Sequence, residues 1–398
     1  MKAGWEMKTL GDLFEITSSK RVFKSEWKTD GVPFYRAREI VKLANQGYVD
    51  NELFISDKMF DEYSAKFGIP KEGDIMVTGV GTLGICYVVQ KDDRFYFKDG
   101  NIIWLKKKSE TDSRFVEYAF RSVILRTQID DAIGATVGTF TIIKAKNTFI
   151  PIPSLSEQQR IVAILDEAFE GIAAAKANAE KNLKNARQLF ESHLNSVFSQ
   201  RGEGWVEKQL QQTGITQTGS TPKTLVITNY GEYIPFVKPA DFNKDGSLDY
   251  DKDKLSKQGF EQARKISAGS VLMVCIGATI GKCGYCDRDV TSNQQINSYT
   301  PFDAVDHKFI FYQMLTRNFQ QRVIQNSAQA TLPIINKSKW SSLNVWLPPD
   351  LTQQRQIVVK LDILSDETQR LESIYQKKIE ALDALKKSIL QKAFSGKL

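Results

Sequence analysis

The chain has 398 residues, a net charge of +7, 41% hydrophobic and 25% charged residues, and four cysteines. That length allows two or three domains with cores of their own, and the charge suits a polyanionic partner without requiring one. No stretch approaches the roughly 18 uninterrupted apolar residues of a membrane span, and the start, Met1-Lys-Ala-Gly-Trp-Glu6, has no apolar signal core, so the expected location is cytoplasmic, away from membranes.

The first block opens with Gly4-Trp5 and then Thr17-Ser-Ser-Lys20-Arg21. Val32-Pro-Phe-Tyr35 reads as a short strand, followed by a basic loop with Tyr35, Arg36, Arg38 and Glu39. Asp74–Thr78 is a β-rich run after the turn glycine Gly73. Gly79-Val-Gly-Thr-Leu-Gly84 matches the dinucleotide fingerprint letter for letter, but a strand-like run, Ile85-Cys-Tyr-Val-Val89, follows where a helix must open. The expectation is a β-hairpin carrying Thr82. Ser113–Ile129 has helical periodicity, and a loop with Thr136 and Thr139 follows it. Glu26-Trp-Lys28 after Asp12 is a faint nuclease-like spacing with no counterpart later, and no nucleophile–base or methyltransferase constellation is present. No catalytic residue is expected.

A long helix begins after Pro153-Ser-Leu-Ser-Glu-Gln-Gln-Arg-Ile-Val-Ala-Ile-Leu-Asp166, with Ser156 to Gln159 as its capping box. Its seam runs Ile161, Leu165, Ala168, Ile172, Ala175, Ala179, Asn182, Ala186, Leu189 and His193, with steps of four and three. Gly202 and Gly204 close it.

A second Gly-Trp pair, Gly204-Trp205, opens the second block. It carries Gly219-Ser-Thr221-Pro-Lys223, the strand Ile234-Pro-Phe-Val237 with Lys238 after it, and the β-rich run Ser270–Cys275. Gly277–Gly281, with Thr279 and then Lys282, is one residue short of a P-loop, and Cys283 stands where Ser or Thr would hold magnesium. Asp306–Gln325 is helical, and Thr331 lies in the loop beyond it. Cys283 and Cys286 form a C-x-x-C pair, but neither His193 nor His307 has ligand spacing to it, so reduced thiols and no metal are expected.

The helix start then repeats as Pro349-Asp-Leu-Thr-Gln-Gln-Arg-Gln-Ile-Val-Val-Lys-Leu-Asp362, at an offset of 196 residues that holds to the end of both helices. Here nothing acidic or amide-bearing stands three residues after Thr352. The second seam runs Ile357, Leu361, Leu364, Thr368, Leu371, Tyr375, Lys378, Leu382, Leu385 and Ile389. One seam is alanine-rich and the other large, which lets the two helices approach and interdigitate. Each is a rod of roughly 60 Å at 1.5 Å per residue. Asn182 and Lys378 are compatible with solvation at an edge or with control of register. The fold class is thus α+β, two similar blocks alternating with two long helices that pair as an antiparallel coiled coil, a pseudo-two-fold internal repeat.

Arginine reads guanine, lysine and threonine hold phosphates or base edges, and glycine-rich turns present backbone N–H groups. On that chemistry the candidate DNA-binding residues are Lys20, Arg21, Tyr35, Arg36, Arg38, Thr82, Thr136, Thr139, Thr221, Lys223, Lys238, Thr279, Lys282 and Thr331.

Two Gly-Trp blocks, each closed by a Pro-x-Leu-Ser/Thr-x-Gln helix start, resemble the specificity subunit of type I restriction-modification systems over the whole chain. The most specific stretches are Ile150-Pro-Ile-Pro-Ser-Leu-Ser-Glu-Gln158 with its repeat, and Gly219-Ser-Thr-Pro222. The resemblance implies target-recognition domains at 1–152 and 201–348, each reading one half of a bipartite double-stranded DNA site, and spacer helices at 153–200 and 349–398 that set the gap. It implies a non-catalytic chain without a cofactor of its own. It also implies two modification subunits that use S-adenosylmethionine to methylate adenine, with restriction subunits using ATP and Mg as further partners. A coiled-coil adaptor that binds protein rather than DNA is the competing reading.

Overall fold

The structure is a computed structural model that describes residues 4–130, 138–328 and 332–398. Two compact units emerge, Met1–Asn178 with Lys378–Leu398, and Ala179–Lys377. Each is one block together with one stretch of both long helices, so the helices belong to the blocks as much as to each other.

The first block runs β1 (Glu6–Thr9), α1 (Leu10–Leu13), β2 (Phe14–Thr17), β3 (Val32–Tyr35), α2 (Ala37–Gln46), β4 (Phe54–Ile55), α3 (Asp57–Phe67), β5 (Ile75–Thr78), β6 (Cys86–Val88), β7 (Tyr96–Phe97), β8 (Ile102–Lys107), α4 (Ser113–Arg121), α5 (Val123–Asp130), α6 (Ile142–Lys146) and β9 (Phe149–Ile152), and leads into α7 (Leu155–Ser199). The second runs β10 (Val206–Gln209), β11 (Gly214–Thr218), β12 (Tyr230–Val237), β13 (Lys254–Leu255), α8 (Lys257–Glu261), β14 (Val271–Val274), β15 (Cys283–Tyr285), β16 (Thr291–Ser292), β17 (Ile296–Pro301), α9 (His307–Leu315), α10 (Arg317–Asn326), α11 (Lys337–Ser341) and β18 (Asn344–Leu347), and leads into α12 (Leu351–Phe394).

The topology is the same twice. A four-stranded antiparallel sheet has the order β2-β8-β5-β6 in one unit and β11-β17-β14-β15 in the other. A three-stranded sheet has the order β4-β3-β7 and β13-β12-β16, and the ribbons β1-β9 and β10-β18 close the blocks. Strand alternation divides the interior. Ile75 and Val77 face the core shared with α4, while Met76 faces the core shared with Ile40 and Leu43 of α2. Val271 and Met273 against Leu272 and Val274 repeat that division.

The helix pair enters each core directly. In the first unit Ile161, Val162, Leu165, Phe169 and Ile172 of α7 share a core with Leu390, Ala393 and Phe394 of α12. In the second, Leu194 and Phe198 of α7 share one with Val358 and Leu361 of α12. Lys176–Asp383 (2.7 Å) in the first unit and Arg187–Glu372 (2.8 Å) in the second mark the antiparallel register. These pairs are half-exposed, so they orient the helices more than they stabilise them.

The repeated motifs turn out to be joints between block and helix. Gly4 and Gly204 sit at φ 83° and 82°, a backbone region that favours glycine. They place Trp5 on Phe115, which stacks on Phe394, and Trp205 on Phe309, which stacks on Phe198 (5.0 and 5.2 Å for the two Phe pairs). Gln158, 2% exposed, accepts the Asp112 N–H at 2.9 Å; Gln354, also 2% exposed, accepts that of Asp306 at the same distance. Those two aspartates in turn cap α4 and α9. Asp166 accepts the Tyr118 hydroxyl and the Arg114 guanidinium; Asp362 accepts the Tyr312 hydroxyl at 2.6 Å and the Lys308 ammonium at 2.8 Å. Burial, then the Asp166 bond, pushes the Tyr118 hydroxyl up to about 12, so it stays a donor.

Several expectations are corrected. The N-cap of α7 is Ser154, whose Oγ accepts from Glu157 N–H, rather than Ser156. Its counterpart Asp350 accepts from Gln353 N–H at 2.8 Å, so the second helix is capped after all, two residues before Thr352. Each helical run after the large sheet is two helices, broken at the extended residues Ser122 and Thr316. Their hydroxyls take the carbonyls of Ala119 and Gln313. In the seam, Ile161, Leu165, Ile172 and Leu361 are buried, and Ile357 and Leu382 pack on the cores. Leu364 is half-buried, whereas Leu189, Leu371 and Leu385 are exposed, as are Asn182, His193 and Lys378. Strict four-three alternation drifts by about 20° per heptad on a straight helix. Past Ala186 the buried positions of α7 therefore become Leu194 and Phe198, with half-buried Phe190 packed beside them, chosen by the core they enter.

Candidate nucleic-acid interface

In both units the polar loops meet at one end of the large sheet, around a turn that precedes its longest strand. In the first unit this hub is Lys98–Asn101, ahead of β8. Lys98 N–H reaches the Tyr35 carbonyl (2.8 Å), and Gly79 N–H reaches that of Asn101 (2.9 Å). Phe140 N–H reaches Gly79 (3.0 Å). Ser19 Oγ donates to Phe97, Lys20 N–H to the Tyr96 hydroxyl, and Arg21 pairs with Asp99 at 3.0 Å. Lys20 and Arg21, Tyr35, and Thr139 thus come from three separate segments to one neighbourhood.

The second unit builds the same hub from Ser292–Gln295, ahead of β17. Ser220 N–H reaches Ser292 (2.8 Å), Asn293 N–H reaches Val237 (3.2 Å), and Cys275 N–H reaches Gln295 (2.7 Å). Thr221 Oγ1 donates to Gln294 Oε1. Gly219 is required by close approach, since a Cβ there would lie 2.2 Å from the Asn293 carbonyl oxygen. Thr221, Lys223 and Lys238 therefore share one region.

The basic residues after the Pro-Phe strands are paired with carboxylates of their own unit. Arg36 grips Glu39 with two N–H groups at 3.1 and 3.0 Å, Arg38 holds the same carboxylate, and Arg38 also reaches Glu52. Glu39 is 3% exposed; burial opposes its charge, but the bonds from Arg36 and Arg38 outweigh it and hold its pKa below the ordinary glutamate value. Lys238 donates its backbone N–H to buried Asp241 and pairs its ammonium with Asp253 at 2.9 Å. These pairs tie Arg36 and Arg38 to the start of α2 and Lys238 to the turn that follows β12.

The glycine runs are hairpins. β5 and β6, and β14 and β15, pair antiparallel, so neither run opens a helix. Four of their five glycine N–H groups reach backbone carbonyls: Gly79 on Asn101, Gly84 on Thr78, Gly277 on Pro333 and Gly281 on Val274. Thr82 and Thr279 are exposed at the two tips, and Lys282 leans back onto the Phe242 carbonyl at 3.3 Å. Thr136 and Thr331 lie outside the described residues.

Sequence reasoning missed the hub turns themselves and Arg264, which donates to Ser220 Oγ and to the Thr218 carbonyl. A polar turn just before a β-branched strand, Gly100-Asn101 and Asn293-Gln-Gln295, was the available signal. Cys275 and Cys286 are buried, and burial raises their thiols to about 12 and about 11, which keeps them unreactive. Among the described residues no group of three or more His, Cys, Asp or Glu is placed to hold a metal ion.

The model of the type I restriction modification DNA specificity domain matches residues 2–185 and again 202–381. A putative type I restriction enzyme specificity subunit of Haemophilus influenzae is 30% identical over 189 residues, 46% of either chain, so the match spans about half of that relative. The type I restriction enzyme EcoBI specificity subunit of Escherichia coli is 20% identical over 99% of this chain and 86% of its own. A chain from a solved type I R-M system has the same fold (TM-score 0.79, 20% identity, 100% of this chain and 99% of that one). So does the HsdS subunit from Thermoanaerobacter tengcongensis (TM-score 0.64, 19% identity, 100% and 98%). Two domain matches that cover both blocks, on a topology built twice, show that the chain belongs to the type I restriction-modification DNA specificity family, with one recognition domain in each repeat.

Proposed function

We propose that this chain reads a bipartite double-stranded DNA target, one half-site per recognition domain, and carries the modification subunits, and restriction subunits with them, to that target. One observation carries the reading: the same scaffold occurs twice, and each copy gathers hydroxyl, amide and basic side chains at one hub whose residues differ between copies. Two unlike readers suit an asymmetric split site. The sequential division holds in this reading: residues 1–152 and 201–348 recognise DNA, and 153–200 and 349–398 set the number of unspecified base pairs between the half-sites.

Lys20, Arg21, Tyr35, Thr139, Thr221 and Lys223 are the contacts we retain, with Thr82 and Thr279 at the hairpin tips and Lys282 beside one of them. Arg36, Arg38 and Lys238 act by holding the loops in shape. The chemistry belongs to the partners: S-adenosylmethionine on modification subunits, ATP and Mg on restriction subunits. No helix among the described residues is long and apolar enough to cross a membrane.

The test is a methylome of a host with and without this chain, expressed beside its modification subunits. Disappearance of one split adenine-methylated motif on deletion is the expected result; an unchanged methylome would count against the reading. Insertion of one or two heptads at matching points of α7 and α12 is expected to lengthen the gap and leave both half-sites alone.

A further inference from the structure

The connection from β11 to β12 ends in a feature that the hub does not use. Leu225 is 95% exposed and Ile227 84%, with Val226 beside them at 37%. This tip is held firmly. Val226 N–H returns to Lys223 and Asn229 N–H to Val226. Asn229, fully buried, donates Nδ2 to the Lys223 carbonyl at 3.1 Å and accepts from Gln262 at 2.8 Å. Ser256 Oγ fixes the Thr228 carbonyl at 2.6 Å. Two large apolar side chains are thus presented to water on an ordered turn.

The equivalent connection of the first unit has the same character. Phe23 is 60% exposed there, between Lys20-Arg21 and Lys24. The recurrence argues that exposure is a property of this loop, not an accident of one copy.

We propose that Leu225 and Ile227 make apolar contact with the bases of one half-site, and that Phe23 does so in the other. This rests on the DNA-recognition reading and adds to it the residues that touch the base surface. The occupant follows from the surroundings. The tip is only a few side chains wide and is flanked by Lys223, Thr224 and Thr228 rather than by further apolar surface. Lys223 is exposed, and it stands two residues from Thr221 at the hub. A cationic, hydroxyl-rich rim around a small apolar point matches DNA, where phosphates flank thymine methyl groups and base faces. A second copy of the chain or a protein groove would need a broader patch.

The test uses the full chain and duplexes carrying the methylated motif found for it. The double variant Leu225→Ser, Ile227→Ser, both at exposed positions, is expected to bind the target about ten- to a hundredfold more weakly. Its salt dependence and its affinity for unrelated duplex should stay unchanged, because no phosphate contact is lost. Lys223→Ala is expected to do the opposite, flattening the slope of log K against log salt by about 0.9 per lost contact. Uracil in place of a target thymine, or 2-aminopurine fluorescence on binding, separates methyl contact from insertion between bases; either result supports the proposal. Wild-type affinity and discrimination in the double variant would overturn it. So would equal weakening on target and unrelated DNA, or a changed oligomeric state without DNA. A wild-type chain that shows no preference for the motif would instead bring down the recognition reading itself.

Discussion

The two units share a skeleton and differ in what is attached to it. The joints between block and helix repeat in kind: Trp5 and Trp205, Gln158 and Gln354, Asp166 and Asp362, Tyr118 and Tyr312. The attachments do not. In the first unit α2, of 10 residues, packs on the large sheet and α3, of 11, covers the small one. In their places the second has the 3-10 turn Pro239–Asp241 and the five-residue α8. At the hub, Lys98-Asp-Gly-Asn101 stands opposite Ser292-Asn-Gln-Gln295. A joint buries specific donors and acceptors and tolerates little change, because an unpaired buried group costs about 1–3 kcal/mol. A solvated loop tolerates almost any polar residue. One chain can therefore carry two different readers on one mounting.

If the joints are equivalent, matched substitutions must have matched effects. The largest effect is expected from Leu165→Ala and Leu361→Ala, both 0% exposed, each costing about 2–5 kcal/mol in denaturant unfolding. A large difference between the two would break the equivalence. Next come Gln158→Leu and Gln354→Leu, which leave the N–H of Asp112 or Asp306 without its partner and should cost about 1–3 kcal/mol each. Ser154→Ala and Asp350→Ala should each cost about 1 kcal/mol as lost caps. Ser156→Ala and Thr352→Ala should stay within about 0.5 kcal/mol. Equal losses at 154 and 156 would restore the cap read from sequence.

The smallest effect separates the units instead of matching them. His307 opens α9, whereas Ser113 opens α4. Burial chiefly lowers the His307 pKa; Asp306 and Asp362 raise it and Lys308 lowers it further. The unfolded chain then takes up the proton first. The second unit is expected to keep its full stability above about pH 6.5 and to lose some as pH falls from there through the folded value. His307→Ser should remove that dependence in thermal melts between pH 7 and pH 5. A dependence that survives the substitution would point to another group.

Much of this architecture is legible in one dimension because it rests on local periodicity and repetition. The tandem organisation, the two long helices, the strands around Val32–Tyr35 and Val271–Val274, and the hairpin nature of Gly79–Gly84 all follow from spacing that a short segment carries by itself. The site is less legible. Arg36 is basic, lies in a loop and follows a strand, which suits DNA; only the fold shows Glu39 buried beside it, and a buried carboxylate takes the guanidinium first. The hub turns lack a motif of their own, and their importance comes from the distant loops that hydrogen-bond to them.

Sequence alone thus determined that the chain is a repeat, where its two long helices and main strands lie, and which segments hold DNA-compatible chemistry, since these are set by neighbours along the chain; it read Arg36 to Glu39 as a loop, whereas Ala37–Gln46 is the helix α2. Tertiary structure decided which helix face is buried beyond Ala186, where each helical run breaks, and which basic residues are taken by carboxylates. It also decided that the repeated glutamine of each helix start is a buried joint. Burial and hydrogen-bond partners come from residues far apart in sequence, and only packing brings them together.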